Sequence, residues 1–216
     1  MPACHPVNRM PESTKPADRP TGQRASRLTD RPNLYVVLTH YPVVDKRGKI
    51  ITSAVTNLDL HDISRAVKTY GVKGFYVVTP LVDQQRLVQK IISHWTDGAG
   101  AVYNPARCSA LELIKLKDTI AAVAEDIKDI ENVYPKTVVT CARSNTGSTG
   151  YKEIREILKS GKPHLLVFGT AWGLADTFIA EADFILEPIL GPTEYNHLSV
   201  RSAASIILDR LLGMNI

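Results

Sequence analysis

The sequence predicts an α/β fold, with a mostly parallel sheet covered by helices on both faces. From Asn33 onward, short apolar runs rich in β-branched residues alternate with segments of helical periodicity. This alternation is typical of parallel sheets, whose strands are joined by crossover helices. Several runs are apolar at successive positions, which indicates strands that are buried on both faces.

Six predicted strands follow one another along the chain, at residues 33–41, 74–80, 111–116, 136–142, 164–170 and 184–189. The segment 48–55 predicts a short extra strand. Ligands of open parallel sheets bind beyond the carboxyl ends of the strands. We therefore expect a functional site in the loops that follow residues 41, 80, 142, 170 and 189.

Helical periodicity fills the connections, at residues 59–71, 82–96, 118–131, 151–160, 173–181 and 198–212. In the first helix, apolar residues recur at spacings of three and four. Asp59 is placed to cap the amino end of this helix, and Gly71 is placed to end it. The last helix carries one apolar stripe, typical of a helix that packs on a sheet.

Composition bounds the class of protein. The chain has 216 residues, of which 44% are hydrophobic and 22% charged, as expected for one globular domain with an appendage. It has neither an apolar run long enough to span a membrane nor a secretory signal, so we expect a cytoplasmic protein without a membrane partner. The cysteines (Cys4, Cys108 and Cys141) form no CxxC pair, which predicts free thiols and no metal site.

The charge is unevenly distributed along the chain. Residues 1–31 carry six basic and three acidic side chains and few large apolar groups, which predicts a disordered basic tail. Residues 32–216, predicted to form a single domain, have a net charge of only +1. Bulk charge therefore does not identify the domain as a nucleic-acid binder, and any such function must come from a local site.

Three of the candidate loops have unusual sequences. The loop "TCARSNTGSTG" (140–150) is dense in Gly, Ser and Thr, so its backbone could approach a ligand closely. In "FGTAWGLAD" (168–176), Gly169 and Gly173 bracket Trp172, which predicts a tight turn with exposed amides at a helix start. Trp172 itself is expected in the core. GxGxxG and GxxxxGK[ST] motifs are absent, which argues against a nicotinamide-dependent oxidoreductase.

The third loop lies in "LEPILGPTEYNHLSVR" (186–201), which is longer and more polar than a structural connection requires. Gly191 and Pro192 predict a turn, and Asn196 or Ser199 could cap the last helix. Three special loops at the same edge of a sheet can converge on one pocket.

The segments "LLVFGTAWGLAD" and "LEPILGPTEYNHLSVRSAASIILDRLLG" resemble motifs two and three of the SPOUT class of S-adenosylmethionine-dependent RNA methyltransferases. The span from about 33 to 213 resembles the compact bacterial RNA methyltransferase family within that class. The resemblance includes "HYPV" (40–43), "TNLDLHDISRAVKTYGV" (56–72) and "YNHLSVRSA" (195–203).

This resemblance implies methyl transfer from S-adenosylmethionine to a nucleotide of tRNA or rRNA, a deep trefoil knot in the C-terminal part, and a homodimer. An alternative is a non-catalytic module that binds S-adenosylmethionine and RNA. The resemblance also implies which residues bind the cofactor: Thr140, Cys141, Ala142, Phe168, Gly169, Gly173, Ile189, Gly191 and Leu198.

The acceptor side of the site is predicted on the first and last helices. Arg65 is the candidate for positioning the phosphate or the acceptor, and Asp59 or Asp62 is the candidate base. When Arg65 is aligned on the arginine of the first motif, Asp59 falls where the ribose-methylating branch has Asn, so base and ribose both remain open as acceptors. The residues predicted to orient the substrate are His61, Tyr195, Asn196, His197, Ser199 and Arg201.

Overall fold

The computed structural model describes residues 32–143 and 146–214, so the predicted tail at 1–31 lies outside the described residues. The strands are β1 (Leu34–Thr39), β2 (Val43–Val44), β3 (Ile50–Ile51), β4 (Gly74–Val78), β5 (Ile114–Lys117), β6 (Lys136–Thr140), β7 (His164–Gly169) and β8 (Phe184–Leu186). The helices are α1 (Asn57–Thr69), α2 (Val82–Thr96), α3 (Ala99–Tyr103), α4 (Pro105–Leu111), α5 (Ile120–Glu131), α6 (Tyr151–Leu158), α7 (Asp176–Ala180) and α8 (Val200–Leu212).

Six of the strands form one parallel sheet in the order β5-β4-β1-β7-β6-β8. The central strand β1 pairs with β4 on one side, where Tyr35 lies opposite Gly74, and with β7 on the other, where Leu34 lies opposite His164. Strand β7 therefore lies between the first strand and β6, although it comes late in the chain. The remaining strands, β2 and β3, form an antiparallel hairpin.

Both faces of the sheet are covered, as predicted. Successive residues of β1 are fully or almost fully buried, and they alternate between two apolar cores. Leu34, Val36 and Leu38 belong to the core that includes side chains of α1 and α8. Tyr35 and Val37 belong to the core that includes side chains of α5 and α7. The α/β prediction is thus confirmed.

Several predicted boundaries were wrong. Helix α1 is capped by Thr56, whose side chain accepts a hydrogen bond from the amide of Asp59, so Asp59 lies in the first turn. Residues 111–113 do not belong to β5, because α4 extends to Leu111. Helices α3 and α4 were not predicted, and the predicted strand at 48–55 is reduced to Ile50–Ile51. The predicted helix at 173–181 is reduced to Asp176–Ala180.

Within the described residues, every helix is too short or too polar to cross a membrane.

Candidate active site

A cavity of about 860 Å³ lies at the carboxyl edge of the sheet. Its walls come from the segments that follow β3, β6, β7 and β8, from the first turn of α1 and from the first two turns of α8. The loop after β4 was also a candidate, but it contributes none of the described lining residues. Three of the five predicted loops therefore converge on one cavity, and the connection that begins after residue 41 contributes only Ser53, Ala54 and Thr56, which follow β3.

Most of the predicted cofactor-binding residues line this cavity: Thr140, Cys141, Ala142, Phe168, Gly169, Gly173, Ile189 and Leu198. Gly191 lies outside the described lining, and a Cβ atom built on it would meet open space. Of the predicted acceptor residues, the lining contains Asp59, Asn196, His197, Ser199 and Arg201. The described lining does not include His61, Asp62, Arg65 or Tyr195.

Asp59 is held by two neighbours at the cavity wall. Its side chain is 9% exposed. One carboxylate oxygen accepts a hydrogen bond from the hydroxyl of Thr56 at 2.6 Å, and the other lies 3.2 Å from Nη1 of Arg201. The Nε atom of Arg201 also lies 3.5 Å from a carboxylate oxygen of Asp62. The guanidinium therefore bridges two carboxylates of α1 from the start of α8.

Two other predicted residues of α1, His61 and Arg65, lie outside the described cavity lining. The ring of His61 packs edge-on against Trp95, with the ring centroids 5.3 Å apart. The guanidinium of Arg107 lies 4.6 Å from the centroid of the Trp95 ring. Burial lowers the pKa of His61, and the positive charge of Arg107 acts in the same direction. Arg65 is exposed on the same helix.

Two loops of the cavity wall are tied together by hydrogen bonds. The amide of Asn196 donates to the carbonyl of Ala142 at 2.8 Å. A carboxylate oxygen of Glu187, which also lines the cavity, accepts from the amide of Tyr151 at the start of α6. The side chain of Asn196 thus links two loops. The hydroxyl of Ser199 caps α8 by accepting a hydrogen bond from the backbone amide of Ser202.

The turn after β7 packs closely against its neighbours. A Cβ atom on Gly169 would come within 2.8 Å of the backbone nitrogen of Leu174, so only glycine fits at this position. Gly173 has a φ of 108°, which strongly favours glycine. The prediction of exposed amides was wrong for Trp172, whose amide donates to the carbonyl of Val44. Trp172 itself is 63% exposed at the cavity mouth and was wrongly expected in the core.

Sequence reasoning missed a buried polar chain beside the cavity. Nδ1 of His40 lies 2.9 Å from the hydroxyl of Ser53, which lies 2.5 Å from the hydroxyl of Thr170. Thr170 in turn donates to the carbonyl of Thr39 at 3.1 Å. In this chain of contacts the hydroxyl of Ser53 lies between the imidazole of His40 and the hydroxyl of Thr170, and Thr170 ends the chain at a backbone carbonyl.

His40 is fully buried, and a hydrogen bond with the backbone of Ala54 opposes the effect of that burial on its pKa. Burial lowers the pKa of His40 to about 4, against the opposing charge of Asp59, so the imidazole is neutral at neutral pH. Ser53 and Thr170 line the cavity. The family resemblance of the "HYPV" segment could have identified His40 from the sequence. No sequence pattern identified Ser53 or Thr170.

The chemistry of the cavity fits a nucleoside-containing cofactor. Its volume is within the usual range for small-molecule sites. Ile189 and Leu198 supply apolar walls for a flat base, whereas the Phe168 side chain is almost fully buried in the core. The carboxylates of Asp59 and Glu187 can accept hydrogen bonds from hydroxyl or ammonium groups. The described residues contain no cluster of three or more His, Cys, Asp or Glu side chains that could hold a metal ion.

Comparison with known proteins identifies relatives of this chain. Residues 33–213 match the model of a family described as SAM-dependent RNA methyltransferase. A protein of Oleidesulfovibrio alaskensis named tRNA (guanine-N(1)-)-methyltransferase is 46% identical over 191 residues, which are 87% of this chain and 44% of the relative. An uncharacterized protein of Aquifex aeolicus is 40% identical over 184 residues, which are 85% of this chain and 90% of the relative.

Solved structures support the fold. A probable methyltransferase from Bordetella pertussis Tohama I has a TM-score of 0.54 at 16% identity, and the match covers 85% of this chain and 96% of that one. The A. aeolicus TrmH/SpoU tRNA modifying enzyme has a TM-score of 0.52 at 16% identity, with 88% and 82% coverage. At this identity the likeness concerns the fold alone.

Proposed function

The chain belongs to the family of S-adenosylmethionine-dependent RNA methyltransferases, and we propose that it transfers a methyl group from S-adenosylmethionine to a nucleotide of tRNA or rRNA. The observation that carries the proposal is the cavity at the carboxyl edge of the sheet, because most of the predicted cofactor residues and five of the predicted acceptor residues line it together. An RNA acceptor also favours a cytoplasmic location.

The cofactor is proposed to lie against the segments after β6, β7 and β8. Ile189 and Leu198 would contact its base, and Phe168 and the backbone of 140–142 would border it. When bound, S-adenosylmethionine supplies a methyl group that the adjoining sulfonium makes electrophilic. The contribution of the chain is then to place the acceptor in line with that methyl group and to remove the acceptor's proton.

Asp59 is the proposed base. The described lining contains two carboxylates, those of Asp59 and Glu187, and Glu187 lies on the side of the predicted cofactor loops. Asp59 lies at the start of α1 and is paired with Arg201 at the start of α8. The methyl group would leave with cleavage of its carbon–sulfur bond, which releases S-adenosylhomocysteine, and the Asp59 carboxylate would take the proton of the acceptor oxygen or nitrogen. Arg201 and His197 would orient the nucleotide, and Arg65 would hold a phosphate outside the cavity.

The relatives support RNA as the acceptor without identifying the atom. The chain spans about half the length of the relative named tRNA (guanine-N(1)-)-methyltransferase, so that activity can reside in the part of the relative that this chain does not match. The Aquifex aeolicus relative is matched over 90% of its length. We therefore propose tRNA as the first substrate to test and leave the methylated atom to the experiment.

Two features of the family resemblance are part of the proposal. A knot in the C-terminal part of the single domain at 32–216 is supported by the insertion of β7 between β1 and β6 and by the hydrogen bond from Asn196 to Ala142. An experimental structure in which no part of the backbone passes through a loop of the chain would contradict the knot.

A homodimer is supported by the exposed apolar side chains of Leu58, Leu190 and Leu198 beside the cavity, and analytical ultracentrifugation would test it.

The decisive experiment is transfer of labelled methyl from S-adenosylmethionine to tRNA and rRNA taken from a strain that lacks the gene. Wild-type protein is compared with Asp59→Asn and with Asp129→Asn, which changes an exposed carboxylate of α5. We expect label in one nucleotide, loss of label with Asp59→Asn and retention with Asp129→Asn. Cofactor binding without any transfer by the wild type would instead favour the non-catalytic binding module.

A further inference from the structure

The hairpin β2–β3 carries a compact basic tip, with the sequence "DKRGK" at residues 45–49. Its conformation is held by the carboxylate of Asp45, one oxygen of which accepts from the amides of Arg47 at 2.8 Å and Lys49 at 3.0 Å. The backbone of Asp45 also bonds to Lys49 and Gly48. Gly48 has a φ of 79°, a conformation that favours glycine. The tip is therefore an ordered turn.

The charge of this tip stands out from that of the whole domain. Lys46, Arg47 and Lys49 are exposed, and the Arg47 side chain is 77% exposed. These three cations face only one carboxylate in the tip, that of Asp45, which lies 3.4 Å from the Arg47 guanidinium. Five residues thus carry a net charge of +2, whereas residues 32–216 together carry +1. Such local charge attracts anions even when the bulk charge is small.

The hairpin is attached directly to the cavity wall. The amide of Val44 donates to the carbonyl of Gly173 at 3.0 Å, and the amide of Trp172 donates to the carbonyl of Val44 at 3.1 Å. Trp172 and Gly173 line the cavity. Lys46 follows Val44 by two residues, so its backbone lies within about 7 Å of that attachment. The cations of the tip are therefore held close to the cavity mouth.

Exposed aromatic side chains continue from this attachment across the mouth. The rings of Trp172 and His197 lie edge to face with their centroids 6.4 Å apart, and Tyr195 lies 5.5 Å from His197. Trp172 and Tyr195 are largely exposed. Cations that follow a backbone, together with exposed rings on which bases can stack, are the features by which proteins hold single-stranded nucleic acid.

We propose that the hairpin tip, through Lys46, Arg47 and Lys49, binds the phosphates of the RNA strand next to the nucleotide that enters the cavity. This inference rests on the proposed function, because it takes the occupant of the cavity to be a nucleotide. Phosphate contacts position the strand without reading its sequence. The tip should therefore strengthen binding of many RNA sequences about equally, with a strong dependence on salt.

The test compares two triple variants of the full chain. The first, Lys46→Gln, Arg47→Gln and Lys49→Gln, removes the cations of the tip. The second, Lys68→Gln, Lys159→Gln and Lys162→Gln, makes the same change in net charge at exposed positions near the amino ends of the strands, the edge opposite the cavity. Circular dichroism establishes that both variants are folded. The affinity for total tRNA is then measured at KCl concentrations from about 50 to about 300 mM, each about twice the one before.

Loss of three phosphate contacts should make the negative slope of log affinity against log salt concentration shallower by about 2. It should also lower the affinity at low salt at least about tenfold. The control variant should change the slope by less than about 0.5. Equal losses in the two variants would show that bulk charge is responsible and would overturn the proposal. Displacement of the RNA by polyglutamate at equal charge concentration would also overturn it, because the tip would then suit acidic proteins.

Two further measurements separate this proposal from the proposed function. The affinity for S-adenosylhomocysteine should be the same in the tip variant and in the wild type. If the wild type binds and methylates RNA while the tip variant keeps the wild-type slope, the hairpin proposal alone fails. If the wild type binds the cofactor but no RNA at any salt concentration, both proposals fail.

Discussion

Arg201 of α8 and Asp59 of α1 form the ion pair that joins the last helix to the first at the cavity wall, with 3.2 Å between Nη1 and Oδ1. The two side chains are 36% and 9% exposed. Because Asp59 has little contact with water, Arg201 and the hydroxyl of Thr56 supply the hydrogen bonds that water would otherwise donate to its carboxylate. The predicted base and its counter-ion are therefore one structural unit.

Replacement of Arg201 by Ala should lower the free energy of unfolding by about 1–2 kcal/mol, since it leaves a nearly buried carboxylate with one hydrogen-bond donor fewer. Asp62→Asn is the matched control, because the Asp62 carboxylate is 46% exposed and lies 3.5 Å from the same guanidinium. The control should cost less than about 0.5 kcal/mol. Urea unfolding measures both; equal costs would mean that Arg201 does not support Asp59.

Replacement of Asp59 by Asn should lower the rate of methyl transfer about 100-fold or more, because an amide cannot take the acceptor's proton. The cofactor affinity should change little, since the cofactor is proposed to lie against the loops after β6, β7 and β8. Single-turnover transfer and calorimetry with S-adenosylhomocysteine measure the two effects. A variant with wild-type turnover would exclude Asp59 as the base.

Replacement of Arg65 by Ala should abolish transfer and leave the cofactor affinity nearly intact. Arg65 is exposed on α1 and lies outside the described cavity lining, so it can reach a phosphate but not the proposed cofactor position. Lys68→Ala, one turn further along the same helix, controls for the loss of a cation. The measurement is the rate of transfer at saturating cofactor, and unchanged turnover would refute the role of Arg65.

Replacement of His40 by Asn should weaken the dependence of stability on acid. The pKa of His40 is lowered from 6.5 to about 4 in the folded chain, so below pH 6.5 the unfolded chain binds a proton that the folded chain does not. The wild type therefore loses stability as the pH falls from 6.5 to 4, by about 3 kcal/mol from this residue. The Asn variant should lack that part of the loss.

Urea unfolding of both proteins at pH 6.5 and pH 4 measures this difference. His197→Asn controls for the removal of one histidine, because His197 is exposed. Asn can still donate to Ser53, so the comparison concerns the titration rather than the loss of the hydrogen bond. Equal acid sensitivity of the wild type and the His40 variant would mean that the imidazole is protonated inside the fold.

Replacement of Gly169 by Ala should destabilise the chain by about 1–3 kcal/mol, because the added carbon would press against the backbone of Leu174. Gly191→Ala should stay within about 0.5 kcal/mol, since the added carbon meets open space. Thermal unfolding compares the two variants. A loss of cofactor affinity in Gly191→Ala without a loss of stability would support the cofactor contact predicted for that residue.

The strand predictions succeeded where burial on both faces leaves an uninterrupted apolar run, as in β1 and β7. The order of the strands in the sheet could not be predicted from the sequence pattern, because the pairing of β1 with β7 joins residues about 130 positions apart. Helices α3 and α4 were missed because they are short and are separated by a single residue, Asn104. The start of α1 was misplaced because Thr56 and Asp59 are both good capping residues, three positions apart.

The glycine-rich and polar loops that follow predicted strands were enough to predict most of the residues that line the cavity. The missed residues are small hydroxyl groups without a local pattern. Ser53 and Thr170 are separated by 117 positions, and they meet because β1 and β7 are neighbours in the sheet. His40 was noted within a resembling segment, but its role depends on this contact.

The position of β7 between β1 and β6 also has a kinetic consequence. The first half of the sheet uses strands close in sequence, whereas the pairing of β1 with β7 must close a loop of more than 100 residues. Contacts of such high sequence separation slow folding. During synthesis the cavity cannot form until α8 has left the ribosome, because Arg201 and Ile207 belong to its wall. The nascent chain therefore becomes able to bind a cofactor only after α8 has been translated.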